Sequence, residues 1–178
     1  MPNVIQFNPQ IHAESIQQIG STIFNKTDYA LLEQSLETCS VTLSRVLVDS
    51  ETDEVLGFIL LKYTDTYIPL YEISFLGISP NYQGRGAGSL LLRYVESVIS
   101  PTSAPCWLLV NQDNTSAQNL YSKFGFHILC ECLDTYHTRC YIMVRSNGTQ
   151  TDLDANLNIT AYIFNKHVNS TETAYSGI

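Results

Sequence analysis

Three glycines within five residues, at positions 84, 86 and 88, constrain the fold of this chain more than any other feature. An apolar segment, Leu70–Ser79, precedes them, and apolar residues recur at three- and four-residue spacing in the segment that follows, Ser89–Ile99. This pattern predicts a strand, a sharp turn and an amphipathic helix. Because glycine has no Cβ, it allows the backbone to turn tightly and a ligand to approach it closely.

The start of the helix after this turn has the chemistry of an anion site. Backbone N–H groups and the positive end of the helix dipole favour a phosphate there, and Arg85 and Ser89 add a charge and a hydroxyl. The Gly-Lys-Ser/Thr of a Walker A loop is missing, and Ser89 stands where a dinucleotide-binding GxGxxG needs its last glycine. Both of these nucleotide sites are excluded. A tight strand–helix turn without a ligand is the alternative.

Hydrophobic periodicity and turn residues along the rest of the chain predict the element order βααβββαβαββ, an α/β layer architecture. The predicted helices are Ile11–Phe24, Asp28–Glu37 with Asp28 as its N-cap, Ser89–Ile99 and Thr115–Phe124. The predicted strands are Val4–Phe7, Arg45–Val48, Val55–Tyr63, Leu70–Ser79, Cys106–Val110, Phe126–Leu133 and Arg139–Val144. We expect one domain over residues 1–145. Residues 146–178 form a polar extension that is an added strand, a docked helix or a loose tail.

The spacing Gln-x-x-Gly-x-Gly of Gln83, Gly86 and Gly88 resembles the acyl-CoA-binding motif of the GNAT superfamily of N-acyltransferases. The resemblance runs from Tyr71 to Val144 and includes Tyr-Ser-Lys-Phe-Gly-Phe at 121–126, which is similar to the family's Tyr-x-x-x-Gly-Phe. It implies a GNAT-like mixed, mostly antiparallel central sheet with helices on both faces. It also implies acetyl-CoA as cosubstrate and direct transfer of its acetyl group to a primary amine in a ternary complex.

The resemblance also implies which residues bind CoA. They lie at the end of the strand, in the turn and around the later helix: Leu76, Gly77, Ile78, Gln83, Gly84, Arg85, Gly86, Ala87, Gly88, Ser89, Asn114 and Lys123. Among them, the N–H of Leu76 is the implied donor to the thioester oxygen. Asn114 is equally a good helix N-cap, and a solvated side chain is the alternative for Lys123.

Two residues are the implied acid and base. Glu72 lies eleven residues before Gln83, where histone-lysine acetyltransferases of this superfamily carry their base, and strand alternation predicts one shared face for Glu72, Ser74, Leu76 and Ile78. Tyr121 is the implied acid that protonates the CoA thiolate. The alternatives are a solvated strand-end glutamate and a core tyrosine within an apolar helix stripe.

The acceptor that the resemblance implies is a primary amine. Both the register of Glu72 and the presence of Tyr136 favour a protein or peptide over a small cationic amine such as a polyamine, aminosugar or amino acid. Tyr136, in a predicted hairpin loop, matches the second tyrosine of the pair that holds the peptide in N-terminal acetyltransferases. Leu109 replaces the glutamate that those enzymes often carry on the fifth strand. From another class of function, a CoA-binding module without turnover is the competing hypothesis.

The charge balance limits the other partners. Nine Lys and Arg against 17 Asp and Glu leave a net charge of −8, which argues against a nucleic-acid partner. No apolar run approaches the roughly 20 residues of a membrane span, and the first residues lack a signal-peptide pattern, so we expect a cytoplasmic protein. The five cysteines show no metal-ligand spacing, so we expect inert thiols and no metal site. The sequence does not indicate an oligomeric state.

Overall fold

The computed structural model describes residues 1–65, 69–102, 104–134, 136–146 and 160–161. Its strands are β1 (Pro2–Gln6), β2 (Arg45–Asp49), β3 (Val55–Thr64), β4 (Leu70–Ile78), β5 (Cys106–Asn111), β6 (His127–Leu133) and β7 (Arg139–Arg145). Its helices are α1 (Pro9–Ile23), α2 (Lys26–Thr38), α3 (Ala87–Ile99) and α4 (Thr115–Lys123), and a single 3-10 turn covers Pro80–Tyr82. The predicted order of elements is confirmed. The predicted extension at 146–178 lies outside the described residues, apart from positions 146, 160 and 161.

Three helices begin two residues earlier than predicted: α1 at Pro9, α2 at Lys26 and α3 at Ala87. The N-cap of α2 is Asn25, whose Oδ1 accepts a hydrogen bond from the backbone N–H of Asp28 at 2.9 Å, so the prediction that Asp28 caps this helix is wrong. Asp28 instead accepts from Asn25 Nδ2 at 2.8 Å inside the first turn. Helix α3 begins at Ala87 rather than Ser89, because left-handed Gly86 (φ 84°) turns the chain directly into the helix.

The seven strands form one sheet in the order β1-β2-β3-β4-β5-β7-β6. Every neighbouring pair is antiparallel except β4 and β5, which are parallel and joined by a crossover through α3. Pairing between β4 and β5 covers only Tyr71–Ile73 against Cys106–Leu108. Beyond Ile73, β4 continues to Ile78 without a register partner on β5, and the sheet opens between these two strands.

A β-bulge at Ser74 interrupts β4 just where this opening begins. Ile73 pairs with Leu61 and Phe75 pairs with Leu60, so Ser74 is the extra residue on β4. An extra residue reverses the alternation of side chains after it. Leu76 therefore packs with Ile73 in the same hydrophobic cluster, whereas Phe75 packs on the opposite face.

The predicted common face of β4 is thus wrong in part. Glu72 faces one side of the sheet together with its cross-strand neighbours, while Leu76 and Ile78 pack into the cluster on the other side. A strictly alternating strand would have placed all three side chains together. The bulge is the physical reason for the difference, since it shifts the alternation by one residue.

Helices cover both faces of the sheet, as predicted. Helices α3 and α4 pack on one face over a cluster that includes Leu91, Val95, Cys106 and Tyr121. Helices α1 and α2 pack on the other face around Phe7, Ile16, Leu32, Phe58 and Leu60. None of the helices among the described residues has both the length and the apolar character to cross a membrane.

The five cysteines are free thiols, and three of them are buried. Burial raises the pKa of Cys132 to about 11 and that of Cys140 to about 12. A thiol with a raised pKa is protonated near neutral pH and is a poor nucleophile. Cys130 and Cys132 pack against one apolar cluster while Glu131 is exposed, so the predicted alternation of this strand is confirmed.

Candidate active site

The glycine turn presents an open backbone at the start of α3. Gly84 and Gly86 both have left-handed conformations, with φ of 72° and 84°, and a Cβ added at either position would meet no atom within 4 Å. Gly86 is the N-cap residue and offers no side chain to the first turn of α3. The guanidinium of Arg85 lies 5.8 Å from the ring centroid of Tyr82. An uncapped helix start, open space and a nearby cation together fit a phosphate group.

Two other motif residues have packing roles within the described structure. Gln83 Nε2 donates a hydrogen bond to the carbonyl oxygen of Ile78 at 3.0 Å, which ties the turn to the end of β4. At Gly88 an added Cβ would lie 2.8 Å from Leu120 Cδ2 and 4.0 Å from Leu76 Cδ2. Glycine at position 88 therefore allows α3 to pack closely on α4, a role that the motif alone does not reveal.

Glu72 lies on β4 in the last part of the strand that is paired on both sides. Its register partners are Lys62 on β3 and Trp107 on β5. Ser74 Oγ donates a hydrogen bond to Glu72 Oε1 at 3.0 Å, so the bulge residue itself orients this carboxylate. Glu72 is half-buried at the point where β4 and β5 separate.

A cavity of about 240 Å³ lies beside Glu72. Its walls come from the end of α2, the end of β3 and the first residues of β4 and β5: Thr38, Cys39, Ser40, Lys62, Tyr63, Thr64, Leu70, Glu72 and Trp107. Lys62, Trp107 and the end of α2 were not among the predicted site residues. Lys62 could have been found from the predicted strands β3 and β4, because pairing them as a hairpin places Lys62 opposite Glu72.

Tyr121 lies on the other face of the sheet. Its side chain is 7% exposed, its ring centroid is 5.9 Å from that of Phe126, and it packs in the cluster that contains Ile73 and Leu108. These last two residues end the paired part of β4 and β5. Burial, with a smaller effect of nearby Cys106, raises the pKa of the Tyr121 hydroxyl. Tyr121 and Glu72 therefore lie on opposite faces of the sheet.

The remaining candidates lie around α4 and the β6–β7 loop. Asn114 caps α4, because its Oδ1 accepts from the backbone N–H of Ala117 at 3.1 Å, and Lys123 is exposed in the last turn. Tyr136 is 49% exposed, and its backbone N–H donates to Asp134 Oδ1 at 2.8 Å. Tyr136 does not line the cavity beside Glu72. The structure therefore does not bring this predicted substrate residue to the cavity that the carboxylate lines.

Comparison with known proteins gives one family and several partial relatives. The family model of the acetyltransferase (GNAT) family matches residues 13–126. An uncharacterized N-acetyltransferase of Mycobacterium tuberculosis is 38% identical over 78 residues, which cover 42% of this chain and 50% of that protein. Mycothiol acetyltransferase of Mycolicibacterium smegmatis is 33% identical over 84 residues, 45% of this chain and 28% of that protein. The matched region thus spans half the length of these relatives or less.

Solved structures share the fold. The NatC complex bound to Gag peptide and CoA contains a chain that superposes with a TM-score of 0.70 at 15% identity. The superposition covers 83% of this chain and 99% of that one. At this identity the likeness concerns the fold alone, and it confirms the predicted mixed sheet with helices on both faces.

Proposed function

This chain belongs to the GNAT family of acetyltransferases, and we propose that it transfers the acetyl group of acetyl-CoA to a primary amine. The observation that carries the proposal is the opening between β4 and β5. Glu72 lies beside it on one face of the sheet, Tyr121 packs in the cluster on the other face, and the open glycine turn follows β4. We assign these residues as the proton acceptor, the proton donor and the phosphate site.

The chain's own residues suit the binding of CoA. The backbone of the turn, the start of α3 and Arg85 fit the phosphates without a basic surface, which matters in a chain of net charge −8. The β4 residues Leu76 to Ile78 have no register partner on β5, so this edge suits hydrogen bonding to the pantetheine arm. Asn114 and Lys123 complete the proposed CoA contacts. When bound, acetyl-CoA supplies the thioester carbonyl that the amine attacks and the thiolate that leaves.

The proposed reaction is a direct attack of the amine on the thioester. A C–N bond forms as the C–S bond breaks, and the ammonium loses two protons in the process. Glu72 passes one of them to solvent. Tyr121 gives its proton to the thiolate and is reprotonated by the second. Burial raises the pKa of the Tyr121 hydroxyl, so it is protonated near neutral pH and is a weaker acid than an exposed tyrosine.

The cavity favours a small acceptor over the protein or peptide that the sequence placed first. It is open on one side, and its volume of about 240 Å³ is sufficient for a small amine. Two residues favoured a protein or peptide, Glu72 by its register and Tyr136; of these, Glu72 lines the cavity and Tyr136 does not. We therefore propose a small primary amine as the acceptor.

We expect purified protein to release CoA from acetyl-CoA when small primary amines are supplied, with an equal amount of acetylated amine detected by mass spectrometry. The same assay includes a mixed peptide library as the comparison. Release with peptides alone would contradict the small acceptor. Tight CoA binding with no release across amines and peptides would indicate a non-catalytic CoA-binding module instead.

Ser74 positions the proposed base, so Ser74→Ala is expected to lower kcat by about 10–100-fold, since a hydrogen bond to a charged group contributes about 1.5–3 kcal/mol. Ser74→Thr retains the hydroxyl and is expected to recover most of that loss. The KM for acetyl-CoA and the melting temperature should stay near those of the wild type in both variants. Equal kcat in all three proteins would contradict the positioning role.

A further inference from the structure

The cavity beside Glu72 holds a cationic side chain as well as an acidic one. Lys62 on β3 stands directly opposite Glu72 on β4, and both residues line the cavity. Side chains opposite each other in an antiparallel pair have Cβ atoms about 4.5–5.5 Å apart. Both are half-buried, so each can reach a molecule held in the cavity.

Lys62 shares the cavity with the end of α2. Thr38, Cys39 and Ser40 form this wall. Burial raises the pKa of the Cys39 thiol, and the positive charge of Lys62 partly opposes that shift. On the neighbouring strand, Glu72 accepts a hydrogen bond from Ser74 at the strand opening. The cavity is therefore lined by one acidic and one cationic side chain from neighbouring strands.

We propose that the acceptor is a small zwitterionic amine of the amino-acid type, with its amine at Glu72 and its carboxylate at Lys62. This inference rests on the proposed function, and it names the acceptor class. Charges on the two ends of such a molecule match the two charged side chains of the cavity. The indole of Trp107 and the side chain of Leu70 supply apolar wall for the rest of the molecule.

Lys62 also acts against other acceptors. A diamine or polyamine brings a second ammonium into a cavity that already contains one, and like charges close together are unfavourable in a partly desolvated site. An amine without a carboxylate leaves Lys62 without the anion that we assign to it. The arrangement thus selects for a carboxylate and against a second cation.

The experiment compares matched acceptors that differ in one charge: a panel of free amino acids and their carboxamides, each assayed by CoA release. For wild type we expect kcat/KM to be about 10–100-fold higher for the amino acid than for its carboxamide. A charge-assisted hydrogen bond contributes a difference of this size. Lys62→Met should bring the ratio of kcat/KM for the acid to that for the amide down to about one. Lys62→Arg should keep the preference, and Lys62→Glu should reverse it towards amides and diamines.

Lys26→Met is the matched control, because Lys26 is exposed at the start of α2 and does not line the cavity. It is expected to behave as wild type with both acceptors. Equal activity of wild type on acids and amides would overturn the inference. An equal loss of activity on both acceptors in Lys62→Met would also overturn it, because that result is expected when Lys62 and Glu72 form a merely structural pair. In those cases amine acetylation itself still stands. No CoA release with any amine would instead overturn the proposed function and this inference with it.

Discussion

A Gly86→Glu variant is expected to lose at least about 100-fold in affinity for CoA, or about 2.7 kcal/mol of binding free energy. Gly86 is the N-cap of α3, and a side chain there enters open space, since no atom lies within 4 Å of an added Cβ. We place the CoA phosphates against this backbone. A carboxylate at position 86 therefore occupies their volume and repels their charge. Isothermal titration calorimetry with CoA measures the loss directly.

Backbone strain alone does not explain such a loss, and a matched variant separates the two effects. Gly125 after α4 is also left-handed, with φ of 81°, and an added Cβ there would be 3.7 Å from Arg145 Nε. Gly125→Glu thus carries the same side chain on the same backbone conformation, at a strain cost of roughly 1–2 kcal/mol in each case. We expect it to lose stability but to bind CoA normally. Equal CoA binding by Gly86→Glu and wild type would rule out the glycine turn as the phosphate site.

Glu72→Gln is expected to lower kcat by about 10²–10³-fold and to leave the Kd for CoA unchanged. Glutamine has nearly the same shape, and its carbonyl oxygen can accept the hydrogen bond that Ser74 Oγ donates to Glu72 at 3.0 Å. It cannot take a proton from the acceptor ammonium. Single-turnover kinetics and calorimetry together separate the loss of the chemical step from any loss of cosubstrate binding.

Tyr121→Phe tests the proposed acid, which lies on the face of the sheet opposite Glu72. Removal of the hydroxyl leaves the buried ring and its edge contact with Phe126, so we expect a stable protein with a lower kcat and unchanged CoA affinity. Glu131 is exposed on β6, so Glu131→Gln is the matched control for Glu72→Gln and should retain full activity. Wild-type turnover in both Glu72→Gln and Tyr121→Phe would refute the assigned acid and base.

Local patterns predicted most of the fold. Periodicity identified all seven strands and four helices in the right order, because each element is encoded by neighbouring residues. The errors in the helix boundaries lie at helix starts, where more than one residue can act as the cap. Asn25 rather than Asp28 caps α2, and Gly86 starts α3 two residues earlier than predicted. Asn25 and Asp28 are both suitable N-cap residues, and the backbone conformation around them decides which one caps α2.

Local sequence was sufficient to predict the strand–turn–helix unit and the family resemblance and to suggest Glu72 and Tyr121 as candidate base and acid, since these depend on residues close together in the chain. The faces of the sheet that the two residues occupy depend instead on the three-dimensional packing. The extra residue at Ser74 reverses the side-chain alternation of β4, and the hairpin register places Lys62 opposite Glu72. Bulges and registers depend on packing between distant segments, which no local pattern contains. The acceptor class that we propose rests on that packing, because the charged side chains of the cavity come from different strands.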